Sequence, residues 1–337
     1  VGGAGPDFDA PSGFDGEIAA GALRLACPKK ESRAMLRRFH PVMACAAWLT
    51  ATGAMAQTAA PSVDRQAFDF VQAYSVSTPK IDQIARWKDP LCVAVVGLPP
   101  DQAAQIKARI EDVAKAVGVT PAPAGCTGNV QIAFAAQPQR LVDNYVKGRE
   151  WILGYNYLDA SAKTVTRPIQ AWYVTATVGA GGGNTGWQFA YTGVPSQVAG
   201  NPAQLNDKVI DRPGGWSPTG RGDSTLTSGL RSEIVNVFAV VDTSKAESKS
   251  VGVLSDYLAM LVLSQPRSIG ACQPLPSVTD LFVEGCAGGA PDGLTAADAA
   301  FLTALYQANP EARKVNMQSD IAGRMARMLT SSSVVAR

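Results

Sequence analysis

Between residues 91 and 135 the chain spells a strand, a helix and a second strand, and this run constrains the fold more than any other. Leu91-Cys92-Val93-Ala94-Val95-Val96 is a short, largely β-branched apolar run closed by Gly97 and Pro99-Pro100, the signature of a strand. Residues 101–117 follow with apolar side chains at Ala103, Ile106, Ile110, Val113, Ala114 and Val117. That spacing of three and four predicts an amphipathic helix, begun by Pro-Pro-Asp and stopped by Gly118. Residues 129–135 read as a second strand, and 139–147 as a helix. Strand, helix and strand at this spacing argue for a βαβ unit with a right-handed crossover.

Export is the second constraint. Leu36-Arg37-Arg38 is a short basic segment, residues 41–52 are mostly apolar, and Ala54-Met55-Ala56 has the small-x-small form cut by signal peptidase. Residues 35–56 are therefore expected to be a signal peptide, with residues 1–34 an upstream or disordered leader. Cleavage before Gln57 removes His40, the single histidine. It leaves 24 basic against 23 acidic groups, without basic runs, so nothing points to nucleic acid. No later stretch reaches the 18 uninterrupted apolar residues of a membrane helix. The expected location is the periplasm or the exterior. Cys92, Cys126, Cys272 and Cys286 survive cleavage. Four cysteines in an exported chain allow three pairings. Cys92–Cys126 and Cys272–Cys286 are expected, because each pair brackets a local segment. A four-thiolate zinc site is the rival, but no C-x-x-C spacing supports it.

The remaining pattern extends the sheet and adds helices late. Residues 57–86 read as a lead-in, with helical turns at 67–74 and 81–86. Residues 169–178 and 187–191 read as strands around a glycine-rich turn, and 193–230 as a long loop. Residues 232–242 form the best strand in the chain, and 252–263 a helix apolar almost all round, hence buried. Thr295 with Asp298 three residues on is a capping-box variant, opening a helix at 296–308; a last helix is expected near 318–329. The fold class is α+β: a mixed β-sheet with a βαβ start, a buried helix after the best strand and a helical C-terminus. One domain is expected over 87–330, with a disordered tail at 331–337.

The order of these pieces resembles a family of secreted bacterial proteins of unknown function with a zincin-like arrangement. The matching pieces are Trp87-Lys88-Asp89-Pro90, residues 238–242 ending in Val-Val-Asp, residues 254–263, residues 276–282, and the Leu-Thr-x-x-Asp helix at 294–306. In a zincin the buried helix carries His-Glu-x-x-His, whose imidazoles bind zinc while the glutamate acts as base. Here Ser255, Asp256 and Ala259 stand at those positions, and neither Ser nor Ala replaces an imidazole ligand. The resemblance thus implies a member without that metal site, and no metal or cofactor is expected.

Without histidine the Ser–His–Asp and Cys–His machineries are excluded from the mature chain. Ser77-Thr78-Pro79-Lys80 has Ser-x-x-Lys spacing, but Pro79 opposes the helix that would align the two side chains. A carboxylate-pair hydrolase needs two acids across one cleft; Asp242, Asp256, Asp280 and Glu284 are the candidates, with Asp256 the first catalytic choice. Residues 181–186 match G-x-G-x-x-G literally, yet a strand follows where a nucleotide site needs a helix. Arg221-Gly222-Asp223 reads as a turn. Trp172, Tyr173, Trp187 and Tyr191 belong to the densest aromatic set, suited to a glycan or peptide groove or to a sheet core. The reading is an exported non-catalytic binding or envelope-associated protein, a zincin-like pseudoenzyme, whose partner is an envelope protein or glycan. A secreted Asp/Glu-dependent hydrolase of glycosidase or peptidase type is the alternative.

Overall fold

A computed structural model describes residues 61–179, 204–205, 208–213 and 229–335, apart from 268 and 287. The expected leader, signal peptide and strand at 187–191, with Trp187 and Tyr191, lie outside the described residues. So do the glycine-rich turn and the Arg-Gly-Asp triplet.

The elements run α1 (Val63–Tyr74), β1 (Arg86–Trp87), β2 (Val93–Val96), α2 (Pro100–Ala116), β3 (Val130–Ala135), α3 (Pro138–Tyr145) and β4 (Ile169–Gly179). They continue with β5 (Gln204–Leu205), β6 (Lys208–Val209), β7 (Leu230–Asp242), α4 (Thr243–Ala246), α5 (Val251–Leu263), α6 (Ala296–Gln307) and α7 (Lys314–Val335). The class is α+β, as expected. β7 is the axis of a five-stranded mixed sheet. β2 pairs parallel with β3, and β3 with the second half of β7. The short β1 pairs parallel with Glu233 and Ile234 near the start of β7. β4 runs antiparallel along nearly all of β7, so it occupies the opposite edge.

Alternation along β7 separates two apolar layers. Val237, Ala239 and Val241 join α2 and α5 in the main core. Phe238 and Val240 point the other way, against Trp172 and Val142 of α3. The register slips between Val174 and Thr175, which leaves Val235 as an extra residue. That bulge returns Ile234 to the face shared with Val237.

Helix α5 is enclosed from Val253 to Leu263. A buried helix end leaves carbonyls without partners, and three aromatic side chains supply them. Tyr173 Oη donates to Leu261 O at 3.0 Å, Trp87 Nε1 to Val262 O at 2.7 Å, and Tyr306 Oη to Leu263 O at 2.7 Å. Both expected disulfides, Cys92–Cys126 and Cys272–Cys286, are present. The Thr295–Asp298 capping box is formed.

Four boundaries differ from expectation. Residues 81–86 leave a turn at Ile81 and Asp82, where Asp82 takes φ +49°, and run irregularly into β1 instead of forming a helical turn. Six residues are too few to nucleate a helix alone, and the Gln83 amide ties the segment to Leu230 O, Glu311 O and Ser232 N. The lead-in is part of the core, because α1 buries Ala67, Phe70, Val71 and Tyr74, and Phe301 lies edge-on to both of its rings. The loop at 193–230 contains the β5–β6 pair, and Ile210 bridges Ala176 of β4. Finally, α7 continues to Val335, so part of the expected tail is helical.

Candidate functional site

Asp256 lies on the enclosed helix α5 and is 7% exposed. Its Oδ1 receives Arg109 Nε of α2 at 2.5 Å, and its Oδ2 accepts from Leu294 N at 3.0 Å. A Cβ on Gly293 would stand 2.9 Å from Oδ2, so a side chain there would crowd this contact. The carboxylate thus joins α2, α5 and the entry to α6. Of the flanking positions singled out by the zincin resemblance, Ser255 donates to Val251 O one turn back, and Ala259 is fully buried in the main core. The other two acids with described hydrogen bonds are similarly engaged. Asp242 Oδ1 accepts from Ser244 N and Oγ, and Lys245 lies 3.3 Å from Oδ2. The Ser244 hydroxyl bond, aided by Lys245, holds that carboxyl below the usual range. Asp280 accepts from Gln273 N and Ser277 N, and burial pushes it upward. No contact brings two of these carboxylates together.

The predicted aromatics lead instead to a cavity of about 400 Å³ along the outer edge of β4. Trp172 and Tyr173 both line it, although consecutive strand residues point to opposite faces. Trp172 stacks on Phe238 at 5.5 Å and donates Nε1 to Ala162 O at 2.7 Å. This bond fixes the wall formed by residues 161–166. Tyr173 reaches the opposite layer to cap α5, and burial drives its hydroxyl well above the normal phenol range. The cavity exists because the edge of β4 turns from covered to uncovered along its length. Toward its end, Asp211 N donates to Thr175 O, and the Asp211 carboxylate takes the hydroxyls of Thr175 and Thr177. Further back, Leu153, Tyr155 and residues 76–79 line the cavity.

The chemistry of this lining is uniform. Ser77, Asn156, Thr164, Thr166, Gln170 and Gln265 supply hydroxyl and amide groups, and no acidic or basic side chain takes part among the described residues. Gln170 Oε1 and Gln265 Oε1 are sheltered from water and have no hydrogen-bond donor among the described residues. Buried acceptors are paired in the great majority of native structures, so two on one cavity wall are notable. Sequence reasoning found Trp172 and Tyr173 through aromatic density. It missed both glutamines, because a single amide carries no spacing signal.

A second concavity, also unforeseen, lies at the carboxyl ends of the parallel strands. It measures about 600 Å³ and has Ile106, Phe134 and Leu254 at its apolar side and Ser244, Glu247 and Lys249 among its polar groups. Open sheets with parallel strands bind ligands at that end. Glu247 is the one carboxylate in its described lining, so the described residues there supply no pair of carboxylates. At the other end of β7, Glu233 is 1% exposed and contacts Lys208 and Arg231, while Lys208 also reaches Asp89 at 2.6 Å. This buried ion cluster pins the β5–β6 segment to the sheet.

Among the described residues no group of three or more histidine, cysteine, aspartate or glutamate side chains could hold a metal ion. No described helix is long and apolar enough to cross a membrane. Comparison with protein-family models, curated proteins and solved structures finds no match for this chain.

Proposed function

We propose that this chain is an exported, non-catalytic binding protein of zincin-like build, with its ligand seated in the cavity at the edge of β4. The observation that carries the reading is the pair of donor-less glutamine oxygens on a wall shared with Trp172 and Tyr173. Buried acceptors of this kind favour a ligand that brings donors. The engagement of Asp256 by Arg109 and Leu294 N supports a structural role for the residue first considered as a catalytic acid. Two disulfides support an oxidising compartment. The succession of β7, the enclosed helix α5 and the capped helix α6 supports a zincin-like relationship, and the missing imidazoles make the chain a pseudoenzyme within it.

The test compares the wild type with Thr166→Trp, which fills the cavity from an exposed position. Thermal unfolding of both is followed against fractions of native envelope extract. A ligand at one hundred times its Kd stabilises by about 2.7 kcal/mol, or roughly 5–10 °C at about 2–4 °C per kcal/mol for a domain of this size. At least one fraction is expected to raise the wild-type Tm and leave Thr166→Trp unmoved. Equal shifts in both proteins, or none in either, would contradict the reading.

A further inference from the structure

We propose that the ligand of the β4-edge cavity is a neutral, polyhydroxylated molecule of the saccharide class; this rests on the reading of that cavity as the ligand site. Three features of the wall carry it.

The first is charge. No acidic or basic side chain lines the cavity among its described residues. A carboxylate or ammonium taken into such a space loses its hydration and finds no opposite charge. A neutral ligand meets no such penalty.

The second is the pattern of hydrogen-bonding groups. Gln170 Oε1 and Gln265 Oε1 need donors. The Ser77, Thr164 and Thr166 hydroxyls and the Asn156 amide have no side-chain partner among the described residues, and each offers both a donor and an acceptor. A sugar hydroxyl likewise donates once and accepts twice, so it matches the glutamine oxygens and the wall hydroxyls together. The Tyr155 and Tyr173 rings and the Trp172 edge add apolar surface, suited to the C–H face of a pyranose.

The third feature separates a small ligand from a peptide. An extended peptide binds a sheet edge through successive outward N–H and C=O groups. Along the cavity those belong to Ile169, Ala171, Tyr173 and Thr175 of β4, because Pro168 O faces inward to Asp242 N. Thr175 O already accepts from Asp211 N, and Ala176 bridges Ile210. The Gly154 backbone crowds Tyr173 O so closely that an added Cβ would lie 2.2 Å from it. Ile169 and Ala171 are left, an open edge of three residues, short for a strand of the usual length, about five or six. The volume of about 400 Å³ falls within the usual range for small-molecule sites, about 300–1,000 Å³.

Calorimetric titration of the full chain with cellobiose and maltose tests the proposal. Glucose with glucuronic acid and glucosamine forms the charge comparison, and doubly blocked tetra-alanine the peptide comparison. At least one neutral saccharide is expected to bind saturably. Thr166→Trp and Gln170→Leu should each weaken it about tenfold or more, and a charged sugar should bind at least tenfold more weakly than glucose. Circular dichroism confirms that each variant is folded; should Gln170→Leu fail this check, Thr166→Trp decides alone. If a charged sugar or the blocked peptide binds best and Thr166→Trp abolishes it, the saccharide class is overturned while the ligand site stands. Saccharide binding indifferent to Thr166→Trp overturns both. Absence of saturable binding by every neutral sugar overturns the class, and the envelope-extract measurement then decides the site independently.

Discussion

Replacing Asp256 separates a structural clamp from a catalytic acid, because its two oxygens have different partners. Arg109 is 46% exposed at its side chain and Asp256 10%. The ion pair is therefore screened by water, and its contribution is taken at the surface value of about 0.5–1 kcal/mol. The bond from Leu294 N is more sheltered. Removing its acceptor strands a donor, at a cost of about 1–3 kcal/mol. Asp256→Asn keeps an oxygen for Leu294 N and should lose only the first contribution. Asp256→Ala loses both, about 1.5–4 kcal/mol in total. With a urea m-value of about 3 kcal/mol/M, the Ala variant's midpoint falls by roughly 0.5–1.3 M, and that of Asn by about 0.2–0.3 M. Arg109→Ala should match Asn, and the Arg109/Asp256 double-mutant cycle should return a coupling of about 0.5–1 kcal/mol. An Asp256→Ala midpoint within error of the wild type would refute the clamp. So would an Asp256→Asn variant of unchanged stability that loses a hydrolytic activity.

Other sites give independent checks. Gly97, in the turn from β2 to α2, has φ +86°, and an added Cβ would stand 2.1 Å from Phe134 O; Gly97→Ala should cost at least about 2 kcal/mol in equilibrium unfolding, and a neutral result would contradict the close approach of this turn to β3. Burial raises the Asp211 carboxyl despite the Thr175 and Thr177 hydroxyls. The folded state therefore keeps its proton to higher pH than the unfolded state, and stability from this group falls as pH rises from about 4 through the raised value. The wild-type midpoint measured against Asp211→Asn should decline across that window and then level off; a flat or rising difference contradicts the assignment. The Cys272–Cys286 bond closes a loop of about 15 residues, so Cys272→Ser/Cys286→Ser should lose about 3 kcal/mol, and the 35-residue Cys92–Cys126 loop about 4. The two double variants, compared by urea denaturation, should rank in that order.

Much of the architecture was legible because it rests on local pattern. The 3–4 spacing of Ile106, Ile110 and Val113 found α2, and the Thr295–Asp298 box marked the start of α6 to the residue. The all-apolar run 252–263 gave the enclosed helix. What escaped depends on partners distant in sequence. Residues 81–86 hold too few apolar positions to distinguish strand from helix, and Gln83's bonds to Leu230 and Glu311 decide the matter. Asp256 stood out as one of four acids that could share a cleft and as the residue at the zincin glutamate position, and its neutralising partner lies 147 residues away on α2. The β4-edge cavity was half-visible. Trp172 and Tyr173 marked it, while Gln170, Gln265 and the hydroxyl wall at 164–166 come together only when the sheet edge and the end of α5 meet.

The most direct test of the binding site is the indole N–H resonance of Trp172 in protein labelled with ¹⁵N-tryptophan. Trp172 sits on the cavity wall, whereas Trp87 is not part of the lining and is buried against the C-terminal end of α5 with its Nε1 on Val262 O. Titration with the envelope fraction that stabilises the protein is expected to shift Trp172 saturably and leave Trp87 in place. A stabilising fraction that leaves the Trp172 resonance unmoved would contradict the account and move the ligand elsewhere on the molecule.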